Sequence, residues 1–338
     1  MGDASDADPP PLPPPPEPNR ALPADVTTET GGPRLRPRQT PRGDFTSSNV
    51  YLRTNRQCAR LPPQRHPTEG SSPIDPKGKV ALITGGGSGI GRATAIALAA
   101  EGASVVIADL NEHSGHETVR LIEDGDGKAA FVHVDVTKRD DLERMVSFAE
   151  ETFGGVDIFH NNAGIGTPQP RFPAASLELW EKTLTVDLWA VIAAVQTVVP
   201  AMRRRGGGVI VNTASLAGLI AHLPDPVYSA AKHGVVGLTR SLAFLKDEAN
   251  VRVNCICPGV VDTPMVRGRP EEMTEAELKA RAAYVNTMPL IRPEEIAEAV
   301  LEFVHDDTLA GQAMAITYGP RRRIIDPPIR FRDDPSQR

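Results

Sequence analysis

Lysine is missing from the first 75 of the 338 residues, a stretch with nine arginines, few large apolar side chains and sixteen prolines before Asp75. Such a segment cannot bury enough apolar area to offset the entropy of ordering it, so residues 1–75 are expected to be disordered or semi-extended. It lacks the apolar centre of a secretory signal, and Asp3, Asp6, Asp8 and Glu17 fit an organelle transit peptide poorly. The run Pro13 to Pro16 suits an aromatic groove, although a passive tail is the expectation. Cysteine is scarce too. Cys58, Cys255 and Cys257 form no disulfide framework, and no further ligands nearby suggest a metal. Cys255 and Cys257 alternate in a strand-like run and point to one face, toward a core. No apolar run is expected to be long enough to span a bilayer. At a net charge of −6 there is no basic surplus to attract nucleic acid. Together these absences suggest a reducing, cytoplasmic setting with no membrane or nucleic-acid partner.

The chain does have alternation. Val80–Thr84, Ser104–Asp109, Phe131–Asp135, Ile158–Asn161, Val209–Thr213 and Val251–Cys257 read as buried strands, short and rich in Val and Ile. Between them Ile90–Glu101, Glu112–Glu123, Leu142–Phe153, Leu177–Arg203 and Tyr228–Ala249 read as helices, and Glu294–Val304 precedes a seventh strand near Met314–Thr317. Strand-helix alternation predicts an α/β fold with a doubly wound parallel sheet of about seven strands and helices on both faces. One domain over 76–320 is expected, followed by a tail over 321–338.

The first strand runs into Thr84-Gly-Gly-Gly-Ser-Gly-Ile-Gly91 and then a helix. Glycines there let the backbone approach a pyrophosphate, and the helix N-terminus offers unpaired N–H groups with positive partial charge. The candidate contacts are Gly85, Ser88, Gly89, Ile90 and Gly91. The second strand ends at Asp109, about 20 residues on, where a carboxylate accepts hydrogen bonds from an adenosine ribose. It would repel the extra phosphate of NADP, and its neighbours Ser88 and Leu110 supply no compensating cation. Arg92 lies one helical step inside, so NAD is the expected cofactor.

Tyr228 and Lys232 are four residues apart at the start of a helix and share a face. A phenol with a pKa near 10 is a poor base at neutral pH, but an ammonium beside it, together with the positive nicotinamide ring of an oxidised cofactor, favours the phenolate and lowers that value. Ser215 would orient a substrate hydroxyl and the carbonyl formed from it.

These motifs, with Asp135-Val136, Asn161-Asn162-Ala163-Gly164 and Pro258-Gly259 followed by Thr263, resemble the single-domain short-chain dehydrogenase/reductase family over about residues 76–318. The resemblance implies a Rossmann fold and a nicotinamide-dependent exchange between a secondary alcohol and a ketone, with Tyr228 as general base or acid. It places Asp135 and Val136 by the adenine, Asn162 under the cofactor, and Val261 and Thr263 beside the nicotinamide. Lys232, with Tyr228, then also holds the ribose. Within the family the run Pro226-Val-Tyr-Ser-Ala-Ala-Lys and the stretch Ser215-Leu-Ala-Gly-Leu look like the NAD-dependent hydroxyprostaglandin dehydrogenases and their bacterial relatives. On that likeness Asp225 is a candidate substrate contact with Ser215 and Tyr228. One position departs from the family pattern: Asp187 stands where an Asn usually helps relay protons to the lysine. Residues 264–292 are the expected lid, with Met265, Val266, Tyr284 and Met288 facing an apolar substrate or merely covering the pocket. Relatives commonly pair the helices Leu177–Arg203 and Tyr228–Ala249, which implies a homodimer or homotetramer. Two other readings are a sugar-nucleotide epimerase, disfavoured by the glycine spacing, and a non-catalytic NAD-binding sensor or scaffold.

Overall fold

Five consecutive buried residues open the sheet. In strand β1 (Val80–Thr84) every side chain is covered, as parallel strands require when helices lie on both faces. The computed structural model describes residues 74–166, 172–268, 273–319 and 321–327. The expectations for residues 1–73, for 269–272 of the lid and for 328–338 fall outside these. The elements after β1 are α1 (Gly89–Ala100), β2 (Ser104–Asp109), α2 (Glu112–Glu123), β3 (Lys128–His133), α3 (Arg139–Phe153) and β4 (Ile158–Asn161). Then come α4 (Leu177–Leu184), α5 (Ala190–Arg204), β5 (Gly208–Thr213), α6 (Pro226–Ser241), α7 (Leu245–Ala249) and β6 (Val251–Pro258). The last are α8 (Pro264–Arg267), α9 (Glu275–Val285), α10 (Pro293–His305), β7 (Ala313–Thr317) and β8 (Arg321–Ile324).

The strand order is β3-β2-β1-β4-β5-β6-β7-β8, parallel throughout except for the antiparallel β8. The order reverses between β1 and β4. The connections that leave their C-terminal ends therefore run in opposite directions, and a crevice opens above the switch point. Alternate strand residues serve the two faces. Ala81, Ile83, Ile107, Val209 and Ile256 pack with Leu98 of α1 and Ile296, Val300 and Phe303 of α10. Leu82, Val106, Phe159, Ile210 and Val253 pack with Leu142 and Met145 of α3 and Val198 and Met202 of α5. Cys255 and Cys257 sit in a third buried cluster with Val191, Val235 and Val236, as their alternation predicts.

Four details differ from the sequence reading. Strand β3 begins three residues earlier than the expected Phe131, because Lys128-Ala-Ala pairs in register with Ser104–Val106. It stops before Asp135, whose N–H turns to the Asp141 carboxylate instead, at 2.8 Å. The helix expected over Leu177–Arg203 is interrupted by a π turn over Thr185–Trp189. Likewise Tyr228–Ala249 divides into α6 and α7. Finally, the expected tail begins with β8, an eighth strand whose Arg322 pairs with Glu298 and Glu302 of α10. Charged and half-exposed, it has no apolar signature. Against the expectation that no apolar run could span a bilayer, the stretch Leu177–Arg204 is long and apolar enough to do so, with a mean hydropathy of 1.6 over its best window. Its residues Val191, Val195, Val198 and Met202 are covered by the sheet and neighbouring helices.

Candidate active site

A cleft of about 970 Å³ occupies the switch-point crevice, and fifteen of the sequence-predicted residues line it. At one end lie Gly85, Ser88, Gly89, Ile90, Asp109, Leu110, Asp135 and Val136; at the other Ser215, Tyr228, Lys232 and Asp187; Asn162, Val261 and Thr263 lie between. Gly91 is just behind the turn rather than on the wall.

The glycine turn is tight for steric reasons. A Cβ on Gly91 would sit 2.1 Å from the Gly85 carbonyl oxygen, so only glycine lets α1 seat against the turn. Gly85 has φ +63° and Gly89 φ +51°, a region that side chains disfavour. Ser88 makes no side-chain cap and no acid stands in the first turn of α1, so its N–H groups are left to an incoming anion. Asp109 spans the far side. Its carboxylate accepts the Gly87 N–H at 2.8 Å and the Asn111 N–H at 2.9 Å. Arg92 is engaged elsewhere, at 2.6 Å from both the Gly87 carbonyl and the Glu117 carboxylate. A cradle that a methyl group would fill, flanked by an acid and with its nearest arginine already paired, fits a dinucleotide.

At the other end Ser215 stands at the head of a 3-10 turn over Leu216–Gly218, its hydroxyl accepting the Ala217 N–H at 3.1 Å. Ser229 holds that turn onto α6 through the Ala217 carbonyl at 2.8 Å. The Ser215 hydroxyl also acts on the Tyr228 phenol, in the direction that lowers its pKa. The Lys232 ammonium lies 5.5 Å from the centre of the Tyr228 ring, 3.3 Å from the Thr213 carbonyl and 3.3 Å from Asp187 Oδ1. Lys232 and Asp187 are both buried.

Burial raises the Tyr228 phenol above its ordinary range, while Lys232 pulls it down and Asp187 adds to the rise. Within the polypeptide the ammonium alone does not outweigh burial; the expected lowering of the phenol also draws on the positive ring of an oxidised nicotinamide. Burial alone would lower Lys232, but the Asp187 carboxylate, with Tyr228 and Cys257 adding to it, holds the ammonium up. Asp187 is itself raised by burial, against the pull of Lys232. It sits in the π turn, a local widening often found at functional sites. One of its oxygens accepts from the Ile165 N–H at 3.0 Å, while Oδ2 is buried with no hydrogen-bond partner.

Asp225 is placed differently from the expectation. Its side chain caps α6 by accepting the Tyr228 N–H at 3.0 Å, and it does not line the cleft. A helix start needs such an acceptor, and Asp is among the best. On the lid side Met265 and Val266 line the cleft, whereas Tyr284 and Met288 do not. Arg281 of α9 ties the lid down through the carbonyls of Val266 and Met265 at 2.7 and 3.0 Å.

Two residues escaped sequence reasoning. Thr213, at the end of β5, touches Lys232 through its carbonyl and both Asn162 and His160 through its hydroxyl. His160 and Asn162 are two apart at the end of β4, and that alternation was the available signal.

Residues 79–274 match the family model described as short chain dehydrogenase. The chain belongs to the short-chain dehydrogenase family. It is 40% identical over 232 residues to the cyclohexanol dehydrogenase of Acinetobacter sp. (strain SE19), covering 68% of this chain and 88% of that protein. It is 35% identical over 251 residues to the 15-hydroxyprostaglandin dehydrogenase [NAD(+)] of Bos taurus, covering 71% and 91%. The solved structure of levodione reductase superposes with a TM-score of 0.65 at 33% identity, over 71% of this chain and 96% of that one. The family is one of nicotinamide-dependent oxidoreductases, and relatives named as dehydrogenases and reductases give the sensor alternative no support.

Proposed function

We propose that this short-chain dehydrogenase interconverts a secondary alcohol and its ketone, with NAD preferred over NADP. The observation that carries the reading is the convergence of Ser215, Tyr228 and Lys232 at one end of a cleft whose other end is the glycine turn and Asp109. Gly89, Ile90 and the first N–H groups of α1 would hold the pyrophosphate, Asp109 the adenosine ribose, Asp135 and Val136 the adenine edge, and Lys232 the second ribose. Leu110, Val261 and Thr263 complete the walls. When bound, the nicotinamide supplies the hydride acceptor and, oxidised, a positive ring beside the phenol.

In the oxidising direction Tyr228 as phenolate would take the hydroxyl proton of the alcohol, and a nicotinamide held by the residues above would supply the acceptor for the carbinol hydride. The carbon–oxygen bond becomes a carbonyl, and the proton reaches solvent. Ser215 donates to the same oxygen and fixes its distance from Tyr228. The Lys232 ammonium stabilises the phenolate, and Asp187 positions and balances that ammonium. In reduction Tyr228 returns the proton.

On the substrate side Ile165, Met265 and Val266 are apolar cleft residues, and the cyclohexanol dehydrogenase relative is named for a cyclic alcohol. The substrate we propose is accordingly an apolar, ring-bearing secondary alcohol or ketone. Exposed Trp189 beside α5 and Phe244 beside α6 support association of copies through these helices as a homodimer or homotetramer. The two unpaired, buried cysteines among the described residues suit a reducing cytoplasm.

The test is to follow reduced cofactor over a panel of cyclic and linear secondary alcohols, with NAD and NADP in parallel. Turnover with NAD on cyclic members is expected. No turnover on any alcohol or ketone, despite tight NADH binding, contradicts the catalytic reading.

A further inference from the structure

His160 is the titratable side chain that the reaction scheme leaves unused, and it is entirely buried in the middle of the sheet. Burial depresses its pKa to about 3, so the ring is neutral at any working pH. The hydrogen bonds around it determine its tautomer. The Asn162 amide nitrogen donates to the carbonyls of Thr84 at 3.1 Å and Gly85 at 3.3 Å, which only an NH2 group can do. Asn162 Oδ1 therefore faces Thr213 Oγ1, 3.2 Å away, and the threonine hydroxyl must donate to it. A hydroxyl has one proton. Thr213 Oγ1 can then only accept from His160 Nε2, 3.0 Å away, so the proton is on Nε2. The other nitrogen, Nδ1, is buried without a hydrogen-bond partner.

A buried imidazole with a bare nitrogen is less favourable than a leucine of similar volume. Its N–H begins a one-way chain through Thr213 and Asn162 to the carbonyl of Gly85, the first residue of the glycine turn. Thr213 also presents its carbonyl to Lys232 at 3.3 Å. One threonine thus joins both ends of the cleft, and the imidazole N–H leaves its hydroxyl one direction in which to point.

We propose that His160 is a positioning residue, retained at a cost in stability, whose Nε2–H sets the Thr213 hydroxyl so that Asn162 holds the glycine turn in its cofactor-binding shape. The inference rests on the cofactor reading above. Without this donor Thr213 can turn its proton away from Asn162, and the amide can rotate until its oxygen opposes the Thr84 and Gly85 carbonyls.

The experiment is NADH binding by fluorescence titration, with no substrate present, together with the thermal midpoint, on the full chain. His160→Leu is expected to weaken NADH binding about 10-fold with a thermal midpoint equal to or above wild type. His160→Gln, whose Nε2 amide replaces the donor, is expected to bind within about 2-fold of wild type. Thr213→Val is expected to match His160→Leu, and the double variant to bind no worse than Thr213→Val alone, because the residues act in series. Wild-type affinity in both His160→Leu and Thr213→Val overturns the proposal. So does a parallel loss of affinity and thermal midpoint in the Leu and Gln variants, which marks a purely structural residue. Should His160→Leu fail to fold, Thr213→Val decides: weak binding at an unchanged midpoint supports the chain, and full binding overturns it. Failure of the wild type to bind NADH or NADPH removes the cofactor reading and this proposal together, whereas wild-type binding with unaffected variants removes this proposal alone.

Discussion

Asp187→Asn keeps the shape of the side chain and removes one negative charge from beneath the reacting groups. Asp187 Oδ1 lies 3.3 Å from the Lys232 ammonium, which lies 5.5 Å from the centre of the Tyr228 ring, so the carboxylate is within about 9 Å of that ring. At an effective dielectric constant of about 20, a unit charge at that range is worth about 2 kcal/mol, a little over one pKa unit. The sign follows from the charges. A carboxylate disfavours the phenolate and an ammonium favours it, so deleting the carboxylate lowers the Tyr228 pKa. Alcohol oxidation needs the phenolate, so its rate rises with pH through that pKa. The acid limb of the kcat profile is therefore expected to move down by about one pH unit in Asp187→Asn. Lys232 also loses the partner that holds it up against burial, so its own loss of charge moves to lower pH. The optimum should shift to the acid side as a whole. The assay is NADH formation at saturating alcohol and NAD from neutral to strongly alkaline pH, with circular dichroism to confirm folding. An unmoved limb, or one displaced upward, refutes the electrostatic role given to Asp187.

Three further outcomes are expected. Asp109→Ser removes the charge that opposes a ribose phosphate, so the ratio of kcat/KM with NAD to that with NADP is expected to fall about 10- to 100-fold; an unchanged ratio removes Asp109 from cofactor choice. Gly91→Ala places a methyl group 2.1 Å from the Gly85 carbonyl, and NADH binding is expected to collapse while far-ultraviolet circular dichroism persists. Wild-type affinity in that variant means the turn is not the cradle. Arg252 is buried and donates to the carbonyls of Phe303, Val304 and Asp306 at the end of α10. Arg252→Met strands those acceptors, and a loss of about 3 kcal/mol, or about 6 °C or more in thermal midpoint, is expected; an unchanged midpoint shows that the end of α10 is held by other contacts.

The glycine turn, Asp109 and the trio of Ser215, Tyr228 and Lys232 were readable in the sequence because each is local. A strand end, a short spacing or one helical turn brings its members together. Harder features depend on partners far along the chain. The start of β3 at Lys128 is set by its register against β2, not by its own apolarity, and Phe131-Val-His-Val misplaces it. The π turn at Asp187 adds no residue type that periodicity detects, although the carboxylate within it is buried. Strand β8 reads as a charged tail because its pairing with β7 uses backbone groups and its Arg322 finds α10. Asp225 looked like a substrate contact by family position, but local backbone geometry claims it as a helix cap. His160 lies between Phe159 and Asn161 in β4, and its link to Thr213 depends on the pairing with β5.

The central claim is that Tyr228 moves the substrate proton in the cleft that the glycine turn completes. It is tested most directly by Tyr228→Phe, which keeps the ring and its packing and deletes the hydroxyl. Measured as NADH formation on a cyclic secondary alcohol, beside NADH affinity by titration, the variant is expected to lose about 10²- to 10⁴-fold in kcat while binding NADH nearly as well as wild type. Turnover at the wild-type rate would contradict the claim.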